Sequence, residues 1–121
     1  MTETRNSKHY DLEDRTLEFA KAIRAFVKLI PKELMNIDDC KQLLRSSGSV
    51  GANYIEANEA LSKKDFIVRI KICRKESKES RYWLRVLAMC NTYELEKERK
   101  QLEQESHELM NIFGAILQKS K

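Results

Sequence analysis

Lys71, Arg74, Lys75, Lys78, Arg81 and Arg85 recur at spacings of three and four, and at 100° per residue they share about a third of a helix circumference. A cationic stripe about four turns long suits the phosphate backbone of RNA or DNA, each neutralised phosphate adding salt-dependent affinity without regard to base. The chemistry open to it is binding rather than reaction. The alternative is a solvated helix face, because a chain that is 35% charged must place its lysines somewhere. The distribution of charge singles the segment out: between residues 62 and 91, nine Lys or Arg stand against three acids, a balance of +6 that exceeds the +4 of the whole chain.

Other groupings offer less. His9 and His107 are the only 2 histidines, which leaves little material for a metal centre or an activated nucleophile. The run Glu105-Ser106-His107-Glu108 comes nearest to a di-iron ligand set, but Gln104 stands three residues before His107, where a Glu-x-x-His motif needs glutamate. Gly48-Ser49-Val50-Gly51 lacks both the Lys-Ser/Thr and the preceding strand of a phosphate loop. Cys40, Cys73 and Cys90 are odd in number and show no Cys-x-x-Cys spacing, so they read as reduced thiols rather than a disulfide framework or zinc site. The expectation is a protein without catalytic residues, metal, cofactor or small-molecule substrate.

The elements that would carry the stripe are helical. With 3 Gly and 1 Pro in 121 residues there are few turn-formers, and the length suits one domain with one core. Apolar residues at helical spacing predict helices over about 11–30, 39–61, 63–90 and 94–118. Asp38 or Asp39 would cap the second, Ser62 with Asp65 the third, and Asn91 or Thr92 would mark the start of the fourth. Residues 31–37 read as a connector with Leu34, Met35 and Ile37 tucked over the bundle end. Near-equal lengths and short links imply an all-α, up-down-up-down antiparallel four-helix bundle, with the first ten residues frayed. No apolar run approaches the ~20 residues that cross a bilayer, and the N-terminus lacks the apolar core of a signal peptide. A soluble, cytoplasmic protein with no membrane partner is expected.

Two further features bear on assembly. Ser47, Gly48 and Gly51 thin the second helix at a cost of roughly 1 kcal/mol per glycine, a sacrifice that suits close approach by a bulky neighbour such as Phe19, Phe26 or Trp83. Asn53 and Glu56 would then hydrogen-bond across helices and set register, and could converge with Glu76 and Glu79 in a polar cluster. On the third helix, Arg69, Ile72, Glu76, Glu79, Trp83 and Val86 occupy the flank away from the cationic stripe, and Ile67, Val68, Tyr82 and Met89 also lie off the core face. A helix with two apolar faces suits burial against a second partner, most simply another copy of the chain. A bare packing role for Trp83 at the bundle edge is the alternative.

The pattern Ser46, Ser49, Asn53 and Glu56, followed by Glu79-Ser80-Arg81-Tyr82-Trp83-Leu84, resembles the four-helix-bundle proteins encoded in intervening sequences of bacterial 23S ribosomal RNA genes. The resemblance covers nearly the whole chain. It implies a small bundle without known enzymatic activity that forms a ring-like homo-oligomer, commonly a pentamer. Related bundles serve retroelement reverse transcriptases as accessory proteins and bind nucleic acid through a basic surface. Where that family often has a Gly-rich turn just after the position of Glu56, this chain continues Ala57-Asn58-Glu59-Ala60, which predicts a longer second helix. The functional expectation is a nucleic-acid-binding oligomer. Its rival is a protein-interaction scaffold that uses the Trp83 flank.

Overall fold

Pro31 and two hydroxyl caps divide the chain into four helices. The computed structural model describes residues 8–87 and 92–121. They form α1 (Lys8–Leu29), α2 (Leu34–Asn58), α3 (Lys63–Val86) and α4 (Tyr93–Lys119). Each helix packs on its sequence neighbours and α4 closes the square against α1, while diagonal pairs stay apart. The result is the expected all-α antiparallel four-helix bundle, with its most extensive contacts between α2 and α3 and between α3 and α4.

The caps of the last two helices follow the sequence. Ser62 Oγ accepts from Asp65 N at 3.1 Å, and Thr92 Oγ1 accepts from Leu95 N at 3.1 Å. The first two helices depart from expectation. α1 begins at Lys8, a turn before Asp11 and inside the first ten residues expected to fray; residues 1–7 lie outside the described residues. α2 starts at Leu34 rather than at Asp38 or Asp39, behind an extended Glu33. Pro31 is the reason: it ends α1, and its freed carbonyl accepts from Glu33 N at 2.9 Å and from Asn36 Nδ2 at 3.1 Å, which organises the turn into α2.

Residues 34–37 are therefore helix, not connector, and they cover nothing. Leu34 is 85% and Met35 77% exposed, with Ile37 also exposed. At its other end α2 stops at Asn58, short of residue 61, and Leu61 is 98% exposed rather than part of the apolar stripe. The capped start of α3 at Ser62 leaves no room for the longer helix that the missing glycine suggests.

α3 ends at Val86, with Leu87 N closing on Trp83 O at 3.0 Å, rather than continuing to residue 90. Arg99 of α4 caps this end: its Nη1 donates to Leu84 O at 3.2 Å, one of the carbonyls of the last turn. The guanidinium is buried and braced by Glu96 at 2.6 Å and Glu103 at 3.1 Å. Met89, Cys90 and Asn91 lie outside the described residues, as does the side chain of His9.

The core mixes large apolar side chains with buried hydroxyls. Phe26, Phe113, Ile23, Leu43, Ile70, Leu84 and Leu109 are fully buried, and so are Ser46, Ser47, Ser77, Ser80, Ser106 and Thr16. Such hydroxyls are costly unless bonded. Here each bonds a carbonyl of its own helix, for example Ser77 to Cys73 O at 2.8 Å and Ser106 to Glu103 O at 2.8 Å. Ser46 and Ser80 also join across α2 and α3, Oγ to Oγ at 2.9 Å.

The two glycines of α2 differ in kind. A Cβ on Gly51 would stand 3.0 Å from Thr16 Oγ1 and 3.2 Å from Thr16 Cβ, so α1 approaches α2 here through a threonine, not through Phe19, Phe26 or Trp83. A Cβ on Gly48 would meet only Arg24 Nη2, at 3.8 Å. Gly48→Ala should stabilise the fold by about 0.5–1 kcal/mol from helix propensity alone, whereas Gly51→Leu should cost about 3 kcal/mol through overpacking. Urea unfolding of the two variants checks this, and equal effects would refute the assigned contact.

Candidate nucleic-acid interface

Four cations of the stripe, Lys71, Arg74, Arg81 and Arg85, lie along the seam where α3 meets α4, while Lys75 lies near enough to Glu79 on the other flank to act on its charge. Lys71, Arg74, Lys75 and Lys78 are exposed. Arg81 and Arg85 are turned to a different task, each placing Nε 3.7 Å from Glu103 Oε2 of α4. Glu103 thus gathers Arg81, Arg85 and Arg99 on one carboxylate side chain, and the stripe divides into an end paired with Glu103, where Arg85 nonetheless stays exposed, and a solvent-facing end.

At the solvent-facing end the two helices part around a groove of about 430 Å³. Ile67, Lys71 and Arg74 of α3 line one side; Gly114, Leu117 and Gln118 of α4 line the other, with Lys121 just beyond. The arrangement is an apolar floor with a cationic rim. Lys121 and Gln118 extend the predicted surface onto a second helix, a join that spacing along α3 alone could not reveal.

The other flank of α3 faces α2. Arg45 Nη1 donates to Glu76 Oε1 at 3.2 Å, and Arg45 also pairs with Glu79. Glu76 is buried, so this pairing between α2 and α3 is what makes its charge tolerable. Glu79 further accepts from Trp83 Nε1 at 3.0 Å. Trp83 packs half-buried against the core edge, with its ring set edge-on to Tyr82 at 5.0 Å. Tyr82 and Val86 beside it stay exposed, as does Val68 about four turns earlier on the helix.

The expected single polar cluster is therefore two. Asn53 Oδ1 accepts from Arg69 Nη1 at 2.9 Å, while Asn53 Nδ2 donates to Ser49 O at 2.9 Å and Ser49 Oγ at 3.0 Å. Asn53 does bridge α2 to α3. Glu56 is exposed and, among the described residues, has no part in these bonds. Arg69 belongs to Asn53 and not to the glutamates, whose partner is Arg45.

Among the described residues, the cysteines are buried and His107 is half-buried. Burial pushes the Cys73 thiol up to about 12 and also raises that of Cys40, so both stay protonated at neutral pH. His107 Nε2 lies 3.3 Å from Asn111 Nδ2. Among the described residues no three His, Cys, Asp or Glu side chains converge as metal ligands do, and no helix is long and apolar enough to cross a membrane.

Glu79 gives the α2–α3 flank a pH dependence. Burial alone would raise its carboxyl, but the hydrogen bonds from Trp83 and Arg45, with the charges of Arg45 and Lys75, outweigh burial and hold it below its ordinary 4.5. A carboxyl held low in the folded state contributes stability that is complete above pH 4.5 and is lost as pH falls through the folded value. Unfolding free energy followed from about pH 6 to about pH 3 should therefore drop more steeply in the wild type than in Glu79→Gln. Parallel curves would contradict this pairing.

Comparison with known proteins places this geometry. Residues 8–115 match the family model described as 23S rRNA-intervening sequence protein. The chain is also similar to the crystal structure of a protein of unknown function from the S23 ribosomal protein family of Bacteroides thetaiotaomicron. The two share 34% identity at a TM-score of 0.76, over 87% of this chain and 96% of that one. No curated protein matches the sequence. A match over nearly the whole bundle, carried by its fold and its sequence together, makes the chain a member of the 23S rRNA-intervening sequence protein family.

Proposed function

We propose that the protein is a non-enzymatic, homo-oligomeric bundle that holds the phosphate backbone of RNA or DNA on its α3–α4 face. The observation that carries this reading is the cationic α3–α4 groove: Lys71, Arg74 and Lys121 border it, Lys75 and Lys78 stay exposed on the same helix, and Arg81 and Arg85 pair with Glu103 farther along the seam. Cations so placed give a contact that is strong at low salt and indifferent to base sequence.

Self-association fits the opposite flank. Tyr82 and Val86 present apolar surface beside Trp83, with Val68 exposed about four turns earlier on the same helix, and Arg45 pairs with both Glu76 and Glu79 on that flank. A ring of five copies, the number implied by the resemblance to ring-forming bundles, would repeat the basic face five times, so that modest contacts add through avidity. A scaffold that uses the Trp83 flank for another polypeptide remains the rival, and the two surfaces allow the readings to be separated.

Charge reversal at Lys71, Lys75 and Lys78 to Glu should leave the molar mass in solution unchanged. Affinity for a short oligonucleotide should fall by at least about tenfold at moderate salt, with a shallower dependence on salt concentration. Unchanged affinity and salt slope would overturn the nucleic-acid reading and leave the scaffold. Light scattering of the wild type checks assembly, and a monomeric mass would overturn the ring.

A further inference from the structure

The α3–α4 groove holds more than charge, and its shape is unlike a surface built only for a duplex backbone. Its floor is Ile67 and Leu117, its polar edge is Gln118, and its cations are Lys71, Arg74 and Lys121. At about 430 Å³ it falls within the size range of ligand-binding clefts. Gly114 keeps the α4 side bare: a Cβ there would stand 3.8 Å from Arg74 Nε, so the guanidinium of Arg74 lies beside a helix surface that carries no side chain. A mid-helix glycine costs stability relative to alanine, and at this position it lets the planar cation of Arg74 lie close against the α4 backbone.

We infer that this groove takes one unstacked base of a single-stranded nucleic acid, with the Arg74 guanidinium against the base face and Lys71 and Lys121 on the flanking phosphates. The inference rests on the proposed binding of the backbone and deepens it. Planar guanidinium groups stack on bases as lysine ammonium groups do not. An apolar floor adds burial of the base, and Gln118 offers a donor and an acceptor to its edge. A duplex keeps its bases stacked and paired, so it can meet the cations of this face but cannot fill the groove. A single strand satisfies both parts of the site, its phosphates meeting the cations and its unstacked base meeting the Arg74 guanidinium and the apolar floor.

The test compares fluorescent oligouridylate and oligothymidylate of about 12 nucleotides with an RNA duplex of the same length, each titrated with the full chain. Both single strands should bind at least about fivefold more tightly per strand-length than the duplex. Arg74→Lys, which keeps the charge, should bring that ratio to about one, and Gly114→Met, which fills the groove, should do the same. Circular dichroism confirms that each variant is folded, and Arg74→Lys, an exposed change, keeps the test alive if Gly114→Met unfolds. Equal affinity for strand and duplex in the wild type, or a preference that survives Arg74→Lys, would overturn the single-strand inference and leave backbone binding standing. Failure of every probe to bind would overturn the backbone reading itself.

Discussion

The close approach of α2 and α3 is the constraint on which the rest of the bundle depends. Two buried serines meet across it at 2.9 Å, and Cys73 Sγ reaches Val50 O at 3.4 Å, contacts that larger core side chains would prevent. Burying hydroxyls is tolerable because each already satisfies itself on its own helix. Small residues on the inner face bring the helices together, and the charged and aromatic residues of α3 are then divided between its two seams. One seam becomes the Arg45–Glu76–Glu79–Trp83 network against α2, the other the basic rim against α4. The two surfaces thus share one cause.

Ion pairs complete what packing begins, and one set stands where the packing is loosest. α1 and α4 share the least contact of the four neighbouring pairs. There Arg15 reaches across to Glu105 at 2.7 Å through two donors and to Glu108 at 2.8 Å. A forked guanidinium–carboxylate pair fixes geometry as well as distance. At the far end of α3, Arg99 does a different job, supplying a donor to a helix that has ended. Glu103 couples that cap to the basic stripe, since the same side chain draws in Arg81 and Arg85.

Much of the fold was legible in the sequence, and the misses have local reasons. The starts of α3 and α4 were marked by Ser62 and Thr92, whose side chains can do the work of a cap alone. The start of α2 was not, because Glu33 caps without a side-chain bond and the apolar Leu34 and Met35 sit in a first turn that faces solvent. Periodicity reports which face could be buried, not whether a neighbour is there. The cap on the last turn of α3 comes from Arg99, more than ten residues away in sequence. A signal for it existed: Arg99 occupies the apolar stripe between Leu95 and Leu102, and a cation in that register needs an acceptor. The stripe on α3 was visible, whereas the loss of two members to Glu103 and the gain of Gln118 and Lys121 depend on which helix lies alongside.

The family match and the shared fold identify the kind of protein without saying what it holds, so the account stands on the surface of α3 and α4. The most direct test is to map backbone amide shifts in the labelled protein as an unstructured oligonucleotide is added. Perturbations are expected along residues 67–78 and 114–121 and absent around Trp83, with the response fading as salt rises. Shifts centred on Tyr82, Trp83 and Val86, or no shifts at any salt concentration, would contradict the account.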